Sequence, residues 1–243
     1  MINRILKTFA ASVFAGMIIV IFAAGHAFAQ EAGVIDVSKV PATAEKLAGF
    51  VPAGWKIEEQ IDGDLNGDGI ADHALKLIED KPAMAKDETM NERGRALVIV
   101  FEDKDGKFRN AAVANKLLQC ASCGGAFYGV SEAPANVKIQ KGVIIVEQDH
   151  GSRWVTDVTF RFRYDEQPNM FILIGFDYSS RDRAAGGASS ESTNYLTGKR
   201  ITTKSKGKKD TTTTSQVTRM RYSIQEVDAE KFEEDATKRL GLD

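Results

Sequence analysis

The hydrophobic positions of this chain repeat mostly with a period of two. The clearest case spans 153–164. There Trp154, Val158, Phe160, Phe162 and Tyr164 share one parity, and Arg153, Asp157, Arg161 and Arg163 share the other. Successive strand side chains point to opposite faces, so this stretch reads as a strand with one core face and one charged face. Residues 96–101 and 171–178 are apolar on both parities, the signature of central strands covered on both sides. Weaker alternation marks strands at 55–61, 73–78 and 108–113. Asp103-Lys104-Asp105-Gly106 supplies one hairpin turn, and Lys141-Gly142 joins 137–140 to 143–148 in another. Ala44, Leu47 and Phe50 fall near one helical face after Pro41, predicting a short helix over 40–50. Residues 226–240 predict a charged terminal helix anchored by Phe232 and Leu240. A Gly/Ala/Ser-rich stretch at 179–194 reads as a flexible loop, followed by a long polar hairpin over 195–222. The expectation is a mainly β, antiparallel meander or sandwich-like sheet of about ten strands with short N- and C-terminal helices. No βαβ unit recurs.

Residues 1–29 stand apart. Arg4 and Lys7 precede an apolar run over 13–24, and Ala27-Phe28-Ala29 offers a small-x-small cleavage site before Gln30. The run is short for a membrane span and no second one follows, so a signal peptide is the expected reading. Residues 30–243 then form a single β-rich domain, periplasmic or secreted, with no integral membrane segment after signal removal. Loss of Arg4 and Lys7 moves the formal net charge from −2 to −4. Mild acidity argues against nucleic acid as a partner and leaves an envelope protein or polymer.

The densest chemistry lies in Asp64-Leu65-Asn66-Gly67-Asp68-Gly69-Ile70-Ala71-Asp72. Oxygen-bearing side chains recur at Asp64, Asn66, Asp68 and Asp72, the Ile70 carbonyl falls between them, and glycine permits a sharp turn. Such a loop can wrap oxygens around a hard divalent cation, with calcium as the expected cofactor. Leu75 stands where an EF-hand carries its bidentate glutamate, and strands rather than helices flank the loop. The pattern resembles the D-x-N-x-D-G-x-x-D calcium loop of FG-GAP and VCBS-type repeats, which joins strands of integrin-like propellers. The motif does not recur here, so a full propeller is not expected. The competing reading is a solvated Asp/Asn/Gly turn.

A broader resemblance rests on Pro52-Ala53-Gly54-Trp55, the acidic loop, Gly151-Ser152-Arg153-Trp154, the 159–164 and 171–175 strands, and Asn194-Tyr195-Leu196-Thr197-Gly198-Lys199. In that order they resemble an uncharacterised secreted bacterial family. The resemblance implies export and a β fold and brings no activity with it.

Cys120 and Cys123 are the two cysteines. In an oxidising compartment they read as a disulfide stapling a loop; the same spacing also serves thiol-redox sites, which need a helix start at the first cysteine. With His73 and His150 they make a Cys2His2 inventory, at spacings unlike a compact zinc motif. Asp149-His150-Gly151-Ser152 has the residue types of acyl transfer, but neighbours in sequence rarely assemble a triad, and no G-x-S-x-G elbow is present. No catalytic residues are assigned. Arg153, Asp157, Arg161 and Arg163 form a possible binding face. Lys199, Arg200, Lys204, Lys206, Lys208 and Lys209 either touch an anionic polymer or guard a sheet edge. The sequence thus favours an exported, calcium-stabilised binding or structural module without catalysis. Two alternatives stand beside it: an envelope thiol-redox or other enzyme using Cys120 and Cys123, and an inhibitor-like partner of another envelope protein.

Overall fold

The computed structural model describes residues 33–206 and 209–242; the signal-peptide reading of 1–29 lies outside them. Among the described residues twelve strands form two antiparallel sheets. The first contains β1 (Thr43–Ala44), β2 (Trp55–Gly63), β3 (Asp72–Glu79), β4 (Arg95–Glu102) and β5 (Phe108–Ala114), in the order β1-β5-β4-β3-β2. The second is a meander of β6 (Ala135–Gln140), β7 (Val143–Gly151), β8 (Trp154–Asp165), β9 (Met170–Asp182), β10 (Ala188–Asn194), β11 (Lys199–Lys206) and β12 (Lys209–Gln216). One α-helix among the described residues, α1 (Ala229–Leu240), follows the second sheet. Among the described residues no helix is long and apolar enough to cross a membrane.

The continuous apolar runs explain the layering. β3 and β4 are buried along nearly their whole length, so the first sheet is covered on both faces. Leu75, Leu77, Val98 and Val100 pack under Ile35, Val40 and Phe50 of the N-terminal segment. Leu97, Ile99 and Phe101 point the other way, into a core shared with Val146, Phe160, Phe162, Phe171 and Phe176 of the second sheet. Burial of this apolar area is the main force holding the sheets together. The alternation on β8 appears as expected: Val158, Phe160 and Phe162 are buried, while Arg161 and Arg163 look outward. Trp154 departs from it and is 49% exposed. It is the first residue of its strand, one inward position beyond Thr156, which itself lines a solvent-open cavity.

Two other expectations give way. The segment 40–50 holds no α-helix; it has a 3-10 turn at Leu47–Phe50 and the short β1, whose Thr43 pairs with Arg109. Pairing at the sheet edge competes there with helix formation, and Phe50 still reaches the core. Residues 179–194 are not a loop. They contain the end of β9 and all of β10, paired from Ala188↔Arg181 to Asn194↔Gly175. Their small polar side chains suit a strand with one wet face, and only the turn between Asp182 and Ala188 carries the Gly-rich chemistry.

Helix α1 lies on the inward face of the second sheet. Asp228 caps its start by accepting from the Lys231 N–H, and left-handed Gly241 ends it. Phe232 sets its ring edge-on to Phe160, Phe176 and Tyr222. Arg239 grips Glu191 through two hydrogen bonds of 3.0 and 2.5 Å, and the Glu191 side chain is fully buried. Lys204 donates to the Leu240 carbonyl at 2.5 Å, and the Tyr178 hydroxyl meets that of Thr237 at 3.0 Å.

Candidate functional site

The acidic loop bridges β2 and β3, so its ends are fixed by the pairing of Gly63 with Asp72. Gly67 and Gly69 both adopt left-handed φ, +82° and +85°, which lets the backbone curl inside nine residues. The curl turns N–H groups onto the side-chain oxygens. Asp64 accepts from Gly67 at 2.7 Å and Gly69 at 3.0 Å; the Asn66 oxygen accepts from Asp68 at 2.9 Å, and Asp68 from Ile70 at 2.8 Å. Asp72 is fully buried. It accepts from the Leu65, Asn66 and Glu102 N–H groups at 2.8, 3.2 and 3.3 Å. Burial pushes its carboxyl upward against these hydrogen bonds, which pull it down, and Asp68 adds to the rise.

No basic side chain of the described residues lies within 4.0 Å of Asp64, Asp68 or Asp72. Among those residues no three His, Cys, Asp or Glu side chains converge as a ready metal cluster. A cation here would draw on the mixed oxygen set of Asp64, Asn66, Asp68, Asp72 and the Ile70 carbonyl, which is the donor chemistry of a hard ion. Asp62 is not part of the loop's set. Burial acts to raise its carboxyl, but hydrogen bonds from His73, at 2.7 Å, and Gln60 hold it below its usual range. His73 also reaches Glu102 at 3.1 Å. Gly67→Ala adds a Cβ that meets no atom within 4 Å, so its cost is backbone strain alone. It is expected to lower stability by about 1 kcal/mol in urea unfolding, with cation affinity falling alongside.

A second feature is a cavity of about 740 Å3 between α1, the inward ends of β7 to β9 and the segment carrying the cysteines. Cys120 and Cys123 are joined, with sulfurs 1.98 Å apart, and both line it. Cys120 is buried and Cys123 exposed, and no α-helix begins at either; a 3-10 turn at Gly125–Phe127 follows. Gln148 on the wall accepts from the Gln119 N–H at 2.6 Å and donates to the Leu117 carbonyl at 3.0 Å, fixing the segment to β7.

His150 joins the helix to the sheet, its Nε2 lying 2.6 Å from Glu233 Oε2. The Glu233 hydrogen bond raises the imidazole above its ordinary 6.5; burial opposes this, and the charges of Glu233, Asp149 and Asp157 reinforce it. A folded value above the unfolded one means that the pair's contribution is complete below about pH 6.5 and is lost as pH climbs through the raised value. Glu233→Gln should therefore lower the Tm more in mildly acid than in alkaline buffer. An equal loss at both would show that the pair adds nothing ionic.

The other candidate residues are not brought together as catalytic machinery. Asp149 and His150 are consecutive on β7 and face opposite ways: Asp149 accepts from the Tyr128 hydroxyl at 2.7 Å, whereas His150 turns to α1. Burial and that carboxylate push the Tyr128 phenol up to about 12. His73 sits beside the acidic loop on the first sheet and the cysteines are bonded to each other, so the four zinc-type residues form no site. On the outer face of the second sheet, Arg161 pairs with Asp177 at 2.5 Å and Asp157 takes Arg181 at 3.2 Å. Arg153 grips Asp182, and Arg163 lines a shallow hollow beside the acidic loop. In the lysine-rich hairpin, Arg200 and Lys204 turn inward to Thr193 and the Leu240 carbonyl. The β12 edge is exposed throughout.

Sequence reasoning missed the cavity and the His150–Glu233 contact. The signal available was parity: Val146, Gln148 and His150 share the core-facing side of β7, and an inward histidine near the strand's end marks where the core opens. Compared with models of protein families, with characterised proteins and with solved structures, the chain matches none.

Proposed function

We propose that this chain is an exported binding module stabilised by calcium, with no catalytic role. The observation that carries the reading is Asp72, a fully buried carboxylate in a loop of three acids that has no basic partner among the described residues. Buried charges are ordinarily paired or coordinate metals. An all-oxygen set on a tight loop fits calcium better than zinc, which prefers nitrogen and sulfur. Asp64, Asn66, Asp68, the Ile70 carbonyl and Asp72 are the proposed ligands. The ion's role is structural: it ties β2 to β3 and relieves repulsion among the carboxylates. Calorimetric titration of EDTA-stripped protein should give one calcium per chain, and Asp64→Ala with Asp68→Ala should abolish it. Absence of heat and of retained metal would leave the loop a polar turn.

Export is supported by the leader pattern at 1–29 and by the closed Cys120–Cys123 pair, a bond that persists in oxidising compartments. The cysteine pair supports a staple over redox chemistry, because its first cysteine is the buried one and lacks the helix start that lowers a thiol's pKa. Slow reduction by mild dithiol is expected; rapid exchange would favour the oxidoreductase reading.

A further inference from the structure

We infer that the cavity beneath α1 is a ligand site for a small organic molecule with an apolar body and one ammonium group. The inference rests on the reading of the chain as a binding module, though not on its calcium. The volume, about 740 Å3, falls within the range of small-molecule sites. Leu118, Ala229 and the Cys120–Cys123 disulfide give it an apolar wall fixed by the core. Thr156 lines it with a hydroxyl, a polar handle for orientation.

Charge decides which molecule fits. Each base on the wall has an acid beside it: Arg95 is held by Glu58 and His150 by Glu233, while exposed Lys116 and Lys238 lie 3.2 and 3.7 Å from Asp228 and Glu234. A ligand carboxylate would therefore compete with Asp228 and Glu234 for the two lysines and would meet Glu233 and Glu230 as like charges. Glu230 is the reverse case, a wall carboxylate with no basic side chain within 4.0 Å among the described residues. An ammonium at the mouth gains that carboxylate while its apolar body lies against the disulfide and Leu118. The imbalance selects sign, and the apolar wall selects shape.

The test uses three probes of one shape and different charge: 2-phenylethylamine, 2-phenylethanol and phenylacetate. Each is titrated into the calcium-loaded exported chain in the millimolar range, where fragments of this size bind. Backbone amide shifts report affinity and place. Expected is saturable binding of the amine, with shifts at Leu118, Cys123 and Ala229, and phenylacetate about tenfold weaker. Glu230→Lys, at an exposed position in the first turn of α1, should reverse the order of amine and acid while leaving the Tm within a few degrees. Absence of binding by the amine, shifts away from the cavity, an acid or alcohol that binds as well as the amine, or a Glu230→Lys variant that keeps the amine preference would each overturn the inference. A calcium-dependent Tm shift without amine binding overturns only the ligand site. Amine binding without any calcium effect overturns only the metal reading.

Discussion

Phe160→Ala is expected to lower the unfolding free energy by about 4 kcal/mol, in the range for a fully buried phenylalanine. Its side chain is fully buried. On its strand it stands opposite Val146 on one side and Phe176 on the other. Its ring contacts those of Phe162 and Phe176 and meets Phe232 of α1 edge-on. Truncation thus removes apolar transfer energy and leaves a hole whose walls belong to β7, β9 and the helix. Rigid neighbouring strands cannot collapse into it. For a chain of this size the Tm should fall by roughly 10–15 °C. Phe127→Ala, at an exposed ring 36% accessible, should stay within about 0.5 kcal/mol. A loss at Phe160 below about 1 kcal/mol in urea unfolding would mean that helix and sheets do not share this core.

Asp72→Asn separates the charge of the loop from its shape. The amide keeps one oxygen where Asp72 now accepts from Leu65 and Asn66, and its nitrogen then faces the Glu102 N–H. In EDTA these effects oppose one another: a buried charge with no basic partner is removed, and one weak acceptor, 3.3 Å from its donor, is lost. The variant should lie within about 1 kcal/mol of the parent. In saturating calcium it should lack the whole stabilisation that the ion gives the parent, about 2.7 kcal/mol at a hundredfold excess over Kd. Urea unfolding of both proteins, with and without calcium, reads the difference. An equal calcium response in the variant would remove Asp72 from the ligand set.

The sequence made the β class legible because strand alternation on 153–164 and the two-sided apolar runs at 96–101 and 171–178 are physical consequences of burial. It failed where tertiary pairing overrode local chemistry. Thr43 and Ala44 are held extended by Arg109 and Phe108, and Ser189, Ser190 and Ser192 join a strand because β9 and β11 supply hydrogen bonds on both sides. The acidic loop's place between two strands was readable, since its turn chemistry lies within its own nine residues. The cavity was not. Its walls come from Gly33 to Lys238, and what matters there, which base is held by which acid, is set by contacts such as His150–Glu233 across 83 positions. The outward arginines were placed correctly; that Arg153, just before β8, grips Asp182 becomes visible only once the register with β9 is known.

That a calcium ion holds the β2–β3 loop is tested most directly by the Tm of the chain. It is measured in EDTA and then across a calcium titration, with magnesium as the control. A saturable, calcium-selective rise on the order of 5–10 °C, lost in Asp64→Ala and Asp68→Ala, is the predicted result. A Tm that is the same in EDTA and in saturating calcium, with no metal retained by the purified protein, would contradict it.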